Sequence, residues 1–142
     1  MRPFTFWQRW LVVLSVVIVA FGLGMVVLNG TPLFDLLNRQ VDPVFWGNEP
    51  LPAAMLTFRG WVYGVLGATM AGWGVFFGFL AQVPFQRQER WAWNCLALGM
   101  LVWYVPDTLL SLASSVIFNA AFNTVLLALV VLPLFFTRKE FR

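Results

Sequence analysis

Small residues recur at Gly60, Gly64, Gly67, Ala71, Gly74 and Gly78 within one apolar stretch, at gaps that alternate between four and three. At roughly 100° per residue these positions stay within about ±40° of one line along a helix. A helix built this way has a smooth groove in which a second backbone can lie close. In lipid, burying more apolar surface gains nothing, so close backbone approach is what holds helices together. The stretch predicts a helix packed into a membrane bundle, against its own neighbours first or, alternatively, against a second copy of the chain.

Composition points the same way. Of 142 residues, 61% are hydrophobic and 11% charged, with 15 Phe and 8 Trp, whereas a soluble domain carries about 25% charged residues. Four apolar runs, 7–28, 53–83, 91–112 and 116–136, reach the roughly 20 residues that a membrane span needs. The expected fold is all-α, a four-helix transmembrane bundle in one domain, with 29–52 as the connection between the first two spans. The first run is longer than the apolar core of a signal peptide and no small-x-small cleavage site follows it, so it is read as a retained span.

Charge placement sets the expected orientation. Arg2, Arg9, Arg87, Arg90, Arg138, Lys139 and Arg142 flank apolar runs, while the 29–52 connection holds Arg39 with Asp35, Asp42 and Glu49. By the positive-inside rule both termini belong on the cytoplasmic side of a bacterial inner membrane and the 29–52 connection on the outer side. The net charge of +3 is then an orientation signal, not a nucleic-acid footprint. Trp7, Trp10, Trp46, Trp91 and Trp93 fall where an aromatic belt belongs.

Within the outward connection, Thr31-Pro32 has the form of a helix cap followed by proline at the first helical position, and Asp42-Pro43 repeats it. Two short amphipathic helices are expected there, with Leu33, Leu36 and Leu37 on one face. They serve either as a connector lying on the membrane or as a lid over a pocket.

Ionisable residues inside spans are the functional pointers in such a chain. Arg59 and Asp107 lie at matching depths below the outer ends of spans two and three, with Tyr63 and Ser111 one turn from each. Asn119 and Asn123 share a face of span four at the same level. An unpaired mid-span charge costs about 2.5–3.5 kcal/mol on insertion scales, so an Arg59–Asp107 pair is expected. Three readings follow: a buried structural clamp; a pocket in which Arg59 takes an oxygen while Trp61, Trp103 and Tyr104 wall an apolar tail; or acid–base chemistry at Asp107. The candidate ligand set is Arg59, Tyr63, Trp103, Asp107, Asn119 and Asn123. Pro106, preceding Asp107, is suited to opening space there by kinking the third span.

Nothing in the chain calls for a cofactor. There is no histidine, and the single Cys95 reads as a small packing residue and excludes an internal disulfide. No phosphate-cradling loop, metal-ligand spacing or nucleophile elbow is present, and the glycines of the second span are spaced for packing.

Phe58-Arg59-Gly60-Trp61-Val62-Tyr63-Gly64, Trp91-Ala92-Trp93, the segment Trp103 to Asp107, and Asn119 with Asn123 together resemble the small four-span bacterial membrane proteins of the loose DoxX-like type. That resemblance implies a four-helix bundle in the inner membrane and little about chemistry. A more distant likeness is to sterol-isomerase-type bundles, whose histidine and glutamate pattern this chain lacks. The function expected is that of a non-enzymatic binding or accessory subunit, with membrane lipids and a protein partner or second copy as its contacts. The alternative is a membrane enzyme or carrier for a lipophilic small molecule such as a lipid, isoprenoid or quinone.

Overall fold

The computed structural model describes residues 3–47 and 49–141. Arg2 and Arg142, counted in the charge pattern, lie outside the described residues. The chain forms α1 (Pro3–Leu28), α2 (Pro32–Trp46), α3 (Ala53–Gln82), α4 (Arg90–Ala113) and α5 (Ile117–Thr137), closed by a 3-10 turn at Arg138–Phe141. Four of these, α1, α3, α4 and α5 with its turn, are long and apolar enough to cross a membrane. They form an all-helical bundle, with α2 at the end away from the termini.

The glycine line of α3 packs against α1, and this is the tightest helix pairing in the molecule. A Cβ at Gly67 would fall on the Gly22 carbonyl oxygen and within 2.6 Å of Met25 Cβ. One at Gly74 would stand 2.8 Å from Val19 Cγ2, and one at Gly78 2.8 Å from Ser15 Oγ. The contact is reciprocal, because a Cβ at Gly22 would meet the backbone of Gly67 and Ala71 at 2.5 and 2.7 Å. Gly60 faces Asn29 Oδ1, whereas Gly64 borders open space and takes no part in the seam.

Helices α4 and α5 form the second pairing and α5 leans on α1, but the consecutive helices α3 and α4 barely touch. The expected Arg59–Asp107 pair requires those two to lie side by side. The glycine groove draws α3 onto α1, and the opposite flank of α3 carries Trp73, which meets Trp103 of α4 at a ring separation of 6.0 Å. Bulky aromatic rings hold α3 and α4 apart where small residues would have let them close.

The terminus end is filled. Phe85, in the α3–α4 turn, is fully buried and lies 5.8 Å from the Phe4 ring and 4.7 Å from Phe141. The turn itself begins at Pro84, which cannot extend α3, and passes through Gln88 in the left-handed region at φ 59°. Two belt tryptophans also clasp helices together. Pro133 removes the donor that would satisfy the Leu129 carbonyl, and the Trp10 indole N–H of α1 donates to that oxygen at 3.0 Å. Trp93 of α4 donates to the Leu134 carbonyl at 2.9 Å.

Three local expectations are corrected. The outer connection holds one helix, not two: Pro43 lies inside α2 and does not end it, although it supplies no backbone donor, and Gly47 ends the helix at φ 65°. Its buried face also differs: Phe34 and Asn38 are buried, while Leu33 and Leu36 are 66% and 70% exposed. Cys95 is exposed on the outside of α4 instead of packed in the core. On a face suited to lipid, a small apolar thiol is as well placed as in a core.

Candidate functional site

The gap that α3 and α4 leave between them is a partly enclosed cavity of about 680 Å³. Small-molecule sites generally fall between about 300 and 1,000 Å³. Its walls are largely apolar and come from all five helices. Phe21 and Met25 of α1 and Leu66, Met70 and Trp73 of α3 form one side. Trp103 and Leu110 of α4 with Phe118, Phe122 and Leu126 of α5 form the other. The α2 residues Leu37, Val41 and Phe45, spaced four apart and so on one helix face, lie over it.

The polar groups gather on the α4–α5 side. Asp107 Oδ1 accepts from Asn119 Nδ2 at 2.8 Å, from Asn123 Nδ2 at 2.8 Å and from Ser111 Oγ at 3.3 Å. Asn119 Nδ2 also reaches Ser111 Oγ at 2.8 Å, and Asn123 Nδ2 lies 3.4 Å from Thr108 Oγ1. Asn123 is almost fully buried between the two helices, at 2% exposure. The two asparagine amides converge on one carboxylate oxygen, while the Ser111 hydroxyl makes its shorter bond, 2.8 Å, to the Asp107 backbone carbonyl. Among the described residues no group donates to Oδ2, and Asp107 is the only charged residue on the cavity wall.

Arg59 stands elsewhere. Its guanidinium pairs with the Asp42 carboxylate of α2, and it does not line the cavity. The expected Arg59–Asp107 pair is therefore absent. The separation of α3 from α4 leaves Asp107 out of reach, and the unforeseen length of α2 brings Asp42 to Arg59. Tyr63, one turn on from Arg59, does reach the cavity wall and lies 6.4 Å, ring to ring, from Phe34 of α2. Of the aromatic residues expected to wall a ligand, Trp103 does so. Trp61 is 64% exposed on the outside of α3, and the Tyr104 hydroxyl bonds Thr124 Oγ1 at 3.2 Å, on the surface between α4 and α5.

Of the residues singled out from the sequence, Asp107, Ser111, Asn119, Asn123, Tyr63 and Trp103 border the cavity; α2 lies where the lid alternative puts the 29–52 connection, but Val41 and Phe45 are not among the residues expected on its face. A signal for them was present in the Leu37, Val41, Phe45 spacing, which reads as one face only once Pro43 is allowed inside the helix. Among the described residues, no group of three or more His, Cys, Asp or Glu side chains converges to hold a metal ion.

Fold and site together define a helical bundle compatible with a multi-pass integral membrane protein, with an apolar cavity whose polar end is built on one carboxylate. No protein-family model, no curated protein and no solved structure matches the chain.

Proposed function

We propose that this is a non-enzymatic binding protein of a bacterial inner membrane, holding the apolar body of a lipophilic small molecule between α3 and α4 beneath α2. The observation that carries this reading is the cavity of about 680 Å³, with apolar walls and a single polar cluster, at Asp107, on one side. A space of this size between helices is the usual form of a ligand site in a bundle. Both termini face the cytoplasm and α2 the outer side, a placement supported by the arginines and lysines at the terminus end. In this reading the protein acts alone or as an accessory subunit.

Native mass spectrometry of the protein extracted in a mild detergent tests the reading. The wild type is expected to carry a bound small molecule or lipid that survives gentle activation. Met70→Trp, which pushes an indole into the cavity, is expected to fold and to lose that adduct. Equal adducts on both proteins would sink the cavity as the binding site.

A further inference from the structure

Resting on the binding reading just given, we infer that the ligand is a lipophilic ammonium compound, its cationic head held at Asp107 and its apolar body among the aromatic rings of the cavity. The argument begins with donors and acceptors. The Asn119 and Asn123 amides donate to Oδ1 and the Ser111 hydroxyl makes its shorter bond to the Asp107 backbone carbonyl, which leaves Oδ2 as an acceptor without a protein partner among the described residues. An ionised carboxylate accepts and does not donate, so the complementary group is a donor.

Charge narrows the class further. Among the described residues no cation accompanies Asp107 on the cavity wall, and the nearest candidate by sequence expectation, Arg59, is paired with Asp42. A lone carboxylate in an apolar setting favours a partner that brings the opposite charge, because charge-assisted hydrogen bonds are about twice as strong as neutral ones. The surrounding wall is also suited to a cation. Tyr63, Trp73, Trp103 and Phe122 all line the same space, and the faces of such rings attract ammonium groups. An anionic head, which an arginine in the pocket would have received, finds no cationic residue on this wall among the described residues.

Three probes with the same tail separate the possibilities: dodecylammonium, dodecanol and dodecanoate, titrated calorimetrically into the protein in a nonionic detergent, with Met70→Trp as the blocked control. The expected order is dodecylammonium tightest, about tenfold over dodecanol, with dodecanoate weakest. Asp107→Asn keeps an oxygen for Asn119 and Asn123 and is expected to bring the amine down to the alcohol. Equal binding of amine and alcohol to the wild type, preference for dodecanoate, or an unchanged amine preference in Asp107→Asn overturns the ammonium assignment. In each of those cases a loss of binding in Met70→Trp leaves the cavity reading standing. Absence of binding by all three probes, or unaltered binding in Met70→Trp, removes both. Should Asp107→Asn fail to fold, the order of the three probes on the wild type decides alone.

Discussion

The guanidinium of Arg59 on α3 and the carboxylate of Asp42 on α2 form an ion pair, each side chain about a quarter exposed at 23% and 24%. It ties the cap helix to the bundle beside the cavity mouth. The separation of α3 from α4 has already put Asp107 beyond the reach of Arg59, and the pairing gives Arg59 its counter-ion outside the cavity wall.

If this pair latches α2, Arg59→Met and Asp42→Asn should each speed hydrogen–deuterium exchange in 32–46, and the double variant should be less perturbed than the two effects summed. The coupling is expected near 1 kcal/mol, between the values for exposed and buried pairs. Full additivity of the single variants would show that α2 is held by its apolar face alone.

The seam makes a contrast between neighbouring glycines. Gly67→Ala forces a methyl onto the Gly22 carbonyl and Met25, and should destabilise the bundle by about 1–3 kcal/mol. Gly64→Ala meets nothing within 4 Å and should be neutral or stabilising by up to about 1 kcal/mol through helix propensity. Unfolding in mixed micelles by a denaturing detergent measures both. Similar losses at the two positions would contradict the α1–α3 geometry.

Asn123 bridges α5 to both Asp107 and Thr108 of α4 from a buried position. Asn123→Ala should cost about 1–2 kcal/mol in the same unfolding measurement, toward the upper end for interhelical hydrogen bonds in membranes. Asn119→Ala should cost less, since Asn119 is only partly buried. The reverse ranking would move the centre of the polar cluster.

Cys95 gives a check on the outer face of α4. Being exposed, Cys95→Ala should change stability by less than about 0.5 kcal/mol. A loss of about 1 kcal/mol or more would return Cys95 to a packed position.

Legibility followed the range of the interactions involved. The helices could be read because each rests on local rules: an apolar run of sufficient length, Pro84 as a stop, and the Ser114-Ser115 turn, where Ser115 adopts φ 61°. Pro43 misled the reading of α2 because a proline near a helix end looks the same in sequence as one that begins a new helix. The polar cluster was legible in part. Asn119, Asn123, Ser111 and Asp107 are brought together by one short α4–α5 turn, and so their meeting follows from depth alone.

Sequence by itself determined four membrane-length helices, a small-residue seam on α3, and a carboxylate with two asparagines at one level. It could not determine which helix would occupy the seam, since a groove of glycines accepts any backbone of suitable shape. Tertiary structure decided that α1 fills it, through the reciprocal Gly22–Gly67 contact. From that single choice the rest follows physically. With α3 committed to α1 and Trp73 set against Trp103, α3 and α4 cannot close, and a cavity opens between them. Arg59 turns to Asp42, and Asp107 is left as the charge in the space the bundle does not fill.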